Sequence, residues 1–138
     1  MPRLMSVTLT KDAVIERRKT ETRRGGWTML RPGDRLTLCE KVMGRKAGEP
    51  LVRIVDVEVV ATRREPLNAI TDDAVAREGF TAADLREFLP LDWPARGALA
   101  RAFVAFFTKH MGGAVDQEVT VITWRYLDTA ADSTGGAP

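Results

Sequence analysis

The run LVRIVDVEVVATRRE, residues 51–65, constrains the fold more than any other stretch. Val and Ile dominate it and charges alternate through it, which is the pattern of a long, half-buried β-strand. The segment before it, RLTLCEKV (35–42), alternates as well, with Leu36, Leu38 and Val42 as its apolar positions. Between the two lies MGRKAGEP, whose Gly44, Gly48 and Pro50 mark a loop. A short loop of this kind joins neighbouring strands, so the pair is expected to be antiparallel. EVTVITWRYL (118–127) reads as another alternating strand and LMSVT (4–8) as a short one.

Helical signals fill the gaps. Thr10 stands where an N-cap would, before KDAVIERRK, with Asp12 in the first turn and Val14 and Ile15 as its apolar stripe. Gly25-Gly26 stops this element at the latest, and Pro32-Gly33 marks a turn. Thr71 followed by Asp72 and Asp73 starts a second helix that Gly79 ends. Thr81 and Asp84 form a capping box for a short helix through about Phe88, and a loop with two prolines follows. ALARAFVAFFTKHM (98–111) is the strongest helix, with Leu99, Phe103, Phe106 and Phe107 at helical spacing. Strands interleaved with helices, and too few βαβ crossovers for a doubly wound sheet, predict an α+β domain: a small, partly closed barrel of mainly antiparallel strands with inserted helices. The domain is expected over residues 1–128, with the small, polar TAADSTGGAP (129–138) as a disordered tail.

A chain of 138 residues, 44% hydrophobic and 29% charged, suits one globular domain that needs no disulfide or metal staple. No apolar run approaches the ~18 residues of a membrane span. MPRLMSVTLT lacks the apolar core of a secretion signal, and Cys39 is the only cysteine. These features predict a soluble, cytoplasmic protein without membrane contact. No Cys/His cluster has metal-ligand spacing, so neither zinc nor another cofactor is expected. The net charge of +2 hides an asymmetry. Residues 1–64 carry 15 Lys and Arg against 8 Asp and Glu, whereas residues 65–138 carry 6 against 11. Such a division gives either a face that attracts phosphates or two halves that attract each other.

The basic excess peaks at RRKTETRR, residues 17–24. If helix continues through it, Lys19, Thr22 and Arg23 share a face. If the chain is extended, Lys19, Glu21 and Arg23 point one way and Thr20, Thr22 and Arg24 the other. In both cases ammonium, hydroxyl and guanidinium groups converge, a set suited to a phosphate, a carboxylate or a carbonyl oxygen. A solvated helix end is the plainer alternative.

KTETRR after a short helix, GD opening a strand, CEKVMGR on it, AREGF on a later helix and the closing EVTVITWRYL together resemble the ASCH domain family over about residues 5–127. The resemblance implies a PUA-like β-barrel whose pocket takes RNA or a modified nucleoside. Some members look like amidohydrolases acting on N4-acylated cytidine, others look like ribonucleases, here for single-stranded RNA, and many have no assigned activity. By position, Lys19, Thr22 and Arg24 match the family's K-T-x-T-x-R segment, and Glu78 matches its helix glutamate. The resemblance therefore implies Lys19, Thr22 and Glu78 as catalytic groups if the domain is an enzyme. The chain departs from the smallest members in its extra Arg17, Arg18 and Arg23, its longer VMGRKAGEP loop and its longer helical insertion.

The chemistry fits those residue types. Amide hydrolysis needs a base, an oxyanion stabiliser and an acid for the leaving amine. Lys19 would act as base only with its pKa drawn down from ~10.4, and as oxyanion stabiliser without any shift. Thr22 would attack or position water, and Glu78 would carry the proton. Ribonuclease chemistry would have to use Lys19 with Arg23 or Arg24, since His110 is the one histidine and suits a structural place at a helix end. Thr20, Arg23, Arg24 and Arg45 are the candidate polar ligand contacts. Trp27 and Trp93, in loops, are the candidate stacking residues, since base–aromatic stacking contributes ~1–3 kcal/mol. Cys39, Trp124 and the phenylalanines of 98–111 are expected in the core. A nucleoside-binding enzyme, an RNA or modified-base reader and a domain that binds an acidic protein all remain open at this level.

Overall fold

The computed structural model describes residues 2–127; the predicted C-terminal tail lies outside the described residues. Five strands form one mixed sheet in the order β1-β3-β4-β5-β2: β1 Arg3–Ser6, β2 Glu21–Arg24, β3 Arg35–Cys39, β4 Arg53–Pro66 and β5 Glu118–Tyr126. Only β1 and β3 run parallel. The long Val/Ile strand is the spine, pairing with β3 through its first half and with β5 along most of its length. A bulge between Val59 and Ala61 turns Val60 out to solvent and bends the strand, which lets the sheet curl. The edge strands β1 and β2 consequently approach each other, and the Arg24 Nη2 donates to the Ser6 carbonyl across the seam at 2.8 Å. The result is a half-barrel with helices packed on it: α1 Lys11–Ile15, α2 Asp72–Arg77 and α3 Ala98–Met111. It is the small α+β barrel expected from the sequence.

Two cores lie on opposite faces of the sheet. Inside the curl, Met5, Leu36, Leu38, Val57, Ile122 and Trp124 pack with Val14 of α1. On the outer face, Val119 meets α2 and the Phe103, Phe106 and Phe107 side of α3. Alternation along β2 assigns its residues to these two sides. Thr22 pairs with Ile122 of the inner core, and Arg23 with Val121 on the other face.

Several elements are shorter than the sequence pattern suggests. The first helix stops at Ile15, because Arg17 takes a left-handed conformation (φ 64°) and closes a Schellman motif. In that motif Arg18 N donates to Ala13 O and Arg17 N to Val14 O. The Arg17 guanidinium also donates to the Val14 carbonyl and lies over the Tyr126 ring at 4.9 Å, contacts that offset the strain of a non-glycine there. Thr10 makes no side-chain cap, whereas Thr71 accepts from Ala74 N as predicted. The Thr81–Asp84 capping box forms but leads only to a 3-10 turn, Arg86–Phe88. The strand predicted over 35–42 ends at Cys39, so the loop to β4 covers residues 40–52. Asp72 does more than start α2: its carboxylate accepts from Gly97 N and Ala100 N and so caps α3 from outside. Among the described residues no helix is long and apolar enough to cross a membrane.

Candidate functional site

RRKTETRR is a helix end only at its start and a strand only at its close. Arg17 terminates α1, residues 18–20 cross over to α2, and ETRR forms edge strand β2. The crossing is held from both sides. Thr20 N donates to the Arg77 carbonyl at the end of α2, while the Lys19 carbonyl accepts from the Trp124 indole (3.1 Å) and the Tyr126 hydroxyl. With its backbone fixed, Lys19 sends its side chain to the C-terminus of α2. Its Nζ donates to the Glu78 carbonyl at 2.7 Å and to Glu78 Oε1 at 3.1 Å. A cation at this end satisfies one of the carbonyls a helix leaves unpaired and suits its dipole.

Gly79 makes that approach possible. It adopts φ 95° in a second Schellman motif, and a Cβ built on it would stand 2.7 Å from the Ala13 Cβ and 3.2 Å from the Lys19 Cβ. The glycine of AREGF is thus required by conformation and by contact at once, and it sets Glu78 against Lys19. Fifty-nine positions apart in sequence, the two charged groups meet with their side chains 3% exposed.

Behind this pair stands a second charged layer. Glu78 Oε2 accepts from Arg23 Nη1 at 3.3 Å, and the same nitrogen donates to Glu21 Oε2. Arg23 Nη2 reaches Glu65 at 3.2 Å, and Arg77 Nε reaches Glu21 Oε1 at 3.0 Å. Part of the sequence's charge asymmetry is therefore neutralised inside the fold, as Lys19 and Arg23 of the first half meet Glu65 and Glu78 of the second. Burial lowers the Lys19 pKa from its usual value; Glu78 opposes the shift and Arg24 adds to it. Arg24 is itself lowered by burial. Burial works against Glu21 ionisation, yet hydrogen bonds from Arg23 and Arg77 hold its carboxyl below the usual range.

These groups form one end of a cleft of about 270 Å³ at the seam between the two edge strands. Lys19, Thr22, Arg23, Arg24 and Glu78 line it together. Thr22 accepts from Arg24 Nε at 3.1 Å, which leaves its own hydroxyl proton to donate elsewhere. Phe80, Phe103, Phe106 and Phe107 supply an aromatic wall, and Leu9 and Met111, both largely exposed, stand at the rim. Lys19 Nζ sits 6.0 Å from the Phe80 ring centroid. The cleft therefore offers donors and a carboxylate at one end and an apolar wall of mutually tilted aromatic rings along its length.

Of the residues singled out in the sequence, Lys19, Thr22, Arg23, Arg24 and Glu78 share the cleft, and four do not line it. Thr20 joins through its backbone alone, to Arg77 and Trp124. Arg45 lies in the exposed 40–52 loop, where its Nε donates to the Val42 carbonyl. Trp27 is half-buried against the inner core, and Trp93 lies in the loop before α3. Sequence reasoning missed the aromatic wall, because residues at helical spacing read simply as core. It also missed Trp124 and Tyr126 as the anchors of Lys19; their alternation on β5 places them on the Thr22 face but says nothing of a backbone partner. Cys39 is buried, and burial raises its thiol pKa. Among the described residues no group of His, Cys, Asp or Glu could hold a metal ion.

No family profile matches the chain, and no curated protein does. Solved structures do. A protein of family DUF984 from Enterococcus faecalis superposes with a TM-score of 0.58 at 12% identity, over 92% of this chain and 80% of its own. The ASCH domain from Lactobacillus crispatus gives 0.51 at 15% identity, over 86% of this chain and 70% of its own. That from Zymomonas mobilis gives 0.50 at 11% identity, over 89% and 64%.

Proposed function

The chain has the fold of ASCH domains, and from that premise we propose that its cleft recognises a nucleobase, carried by a nucleoside or by an unpaired residue of RNA. One observation carries the reading: four phenylalanine rings, set at angles to one another, and a cluster of hydrogen-bonding groups line one cleft of about 270 Å³. A base needs both, apolar surface for its faces and donors and acceptors for its edge. Lys19, Arg24 and the Thr22 hydroxyl supply donors, and Glu78 supplies the acceptor. The volume is near the ~300 Å³ lower end of ligand pockets, which suits one ring system rather than a chain of them.

Calorimetric titration with cytidine, N4-acetylcytidine, uridine, adenosine, guanosine and a short single-stranded RNA tests this. At least one nucleoside should bind, and Glu78→Gln should weaken it. An affinity for RNA that falls steeply with salt would mark phosphate contacts as well. No binding of any nucleoside or RNA at millimolar concentration would overturn the reading.

A second reading, hydrolysis of an acyl amide on the base, draws support from the 3.1 Å approach of Lys19 Nζ to Glu78 Oε1 with Thr22 in the same cleft. Cooperating groups need hydrogen-bond reach, and these two have it. Burial favours an uncharged Lys19 amine, which would take a proton from water as the new C–O bond forms and return it to the leaving nitrogen as the C–N bond breaks. Were Thr22 the nucleophile, the acyl group would pass to its oxygen and a second water would hydrolyse that ester to release the acid. Release of acetate and cytidine from N4-acetylcytidine by the wild type but not by Lys19→Met is the expected result. Binding without product would leave the domain a reader. Ribonuclease chemistry draws less support, since His110 stands outside the cleft, packed against Phe106 and Phe88.

A further inference from the structure

Glu21 and Arg23 occupy the two free positions of K-T-x-T-x-R, and both are buried charges. On a strand face turned toward helices, apolar residues would be the simpler choice, since desolvating charges is costly. The arrangement around Arg23 points to what they do. Its side chain is 1% exposed and faces three carboxylates, those of Glu21, Glu65 and Glu78, while its Nε has no partner among the described residues. A guanidinium placed only to neutralise charge would use its nitrogens fully; this one is held where its Nη1 serves Glu21 and Glu78 together.

We propose that Arg23 is a positioning residue: by holding Glu78 Oε2 it leaves only Oε1 for Lys19 Nζ, and so limits how much of the carboxylate the cleft amine receives. Glu21 holds Arg23 in turn, and Arg77 at the protein surface holds Glu21. The proposal rests on the reading of Lys19 and Glu78 as the working groups of the cleft. Around Lys19, α2 presents Glu78, β2 presents Glu21, Arg23 and Arg24, and β5 presents the Tyr126 hydroxyl at the Lys19 carbonyl. The residues that η1 (Thr8–Thr10) and α3 turn into the cleft carry no charge. Arg23 therefore acts on the amine through Glu78, the carboxylate to which both it and Lys19 hydrogen-bond. With Arg23 gone, Glu78 is free to turn both oxygens to Lys19 and to stabilise the ammonium form further.

The double variant Arg23→Leu/Glu21→Leu tests this without changing the net charge of the layer. Glu65 keeps Arg63 at 3.0 Å, and Arg77, half exposed, is free to solvate. Replacing a buried ion pair by apolar side chains is often neutral for stability, so the variant is expected to fold. The readout is the titration midpoint of the Lys19 amine, followed by NMR of 13Cε-labelled lysine in the unliganded protein. It should rise by about one pH unit or more, the usual effect of a closer opposite charge. Loss of Glu21 acts in the opposite direction, and loss of the Arg23 cation itself raises the midpoint directly. The same double substitution is therefore compared on a Glu78→Gln background, where only that direct effect survives; an equal rise there overturns the proposal. A folded variant whose midpoint is unchanged or lower would overturn the proposal and leave Arg23 a structural ion. Should the double variant not fold, Arg23→Lys serves instead: one ammonium cannot bridge Glu21 and Glu78 as a guanidinium does. A smaller rise is then expected, and no rise overturns the proposal. Cytidine titration on the same samples reports on the function separately, so the two can fail independently.

Discussion

Substituting Gly79 tests the assembly of the cleft more directly than substituting any of its charged groups. Gly79→Ala places a methyl group 2.7 Å from the Ala13 Cβ, closer than real Cβ atoms come, and 3.2 Å from the Lys19 Cβ. Two costs follow. A left-handed conformation in a residue with a side chain costs roughly 1–2 kcal/mol. Overpacking a well-filled contact costs about 1–3 kcal/mol more, because α1 and the C-terminus of α2 must separate. Gly48→Ala provides the control: its φ of 81° is equally left-handed, but nothing lies within 4 Å of the added methyl. Urea unfolding at pH 7 should therefore show Gly48→Ala losing roughly 1–2 kcal/mol and Gly79→Ala roughly 2–5 kcal/mol. The separation of α2 from α1 also lengthens the Lys19–Glu78 contact, so Gly79→Ala should shift the Lys19 titration where Gly48→Ala does not. Equal losses from the two substitutions would refute the idea that the contact at Gly79 sets the two charged groups together.

Three further outcomes follow from the same geometry. The folded state lowers the Lys19 pKa, so between that depressed value and 10.5 the unfolded chain binds a proton the native protein lacks. Stability relative to Lys19→Met should thus rise with pH on the approach to 10.5, and a falling difference in urea midpoints would contradict the depressed pKa. Glu21 carries the opposite sign: its carboxyl is held below 4.5, so its contribution is present above that pH and lost as acid protonates it; Glu21→Gln should accordingly flatten the loss of stability below about pH 4.5, measured by denaturation at pH 7 and pH 3. Asp72→Ala removes the acceptor for two backbone N–H groups at the start of α3 and should cost about 1–2 kcal/mol, with amide exchange at Gly97 and Ala100 accelerated.

The parts of the fold legible in the sequence are those whose signal is local. Alternation of Val and Ile marked β4, helical spacing of Phe103, Phe106 and Phe107 marked α3, and Thr71 marked the start of α2. Even the two faces of β2 follow from counting by twos, once the segment is known to be extended. What alternation leaves out is the partner. Nothing near Lys19 in the chain names Glu78, and nothing near Glu78 names Arg23, because the meeting depends on where the sheet curls. The end of α1 was hidden for a related reason: a non-glycine such as Arg17 takes a left-handed conformation only where tertiary contacts, here the Tyr126 ring, offset the strain.

The same distinction explains why charge counting alone does not choose between its two readings of the site. Charge counting leaves open a face that attracts anions and two halves that attract each other, and Lys19 and Arg23 follow the second course: both are buried and already face Glu21, Glu65 and Glu78. A ligand entering the cleft does not meet a field of free positive charge. It meets an aromatic wall, a threonine hydroxyl, Arg24 and an ammonium group whose carboxylate partner is shared. That arrangement discriminates by shape and hydrogen-bond direction more than by net charge, so replacing exposed arginines such as Arg18 should leave nucleoside affinity nearly unchanged while Glu78→Gln lowers it. Calorimetry on the two variants separates the cases: equal losses would mean that long-range attraction, and not the built cleft, selects the ligand.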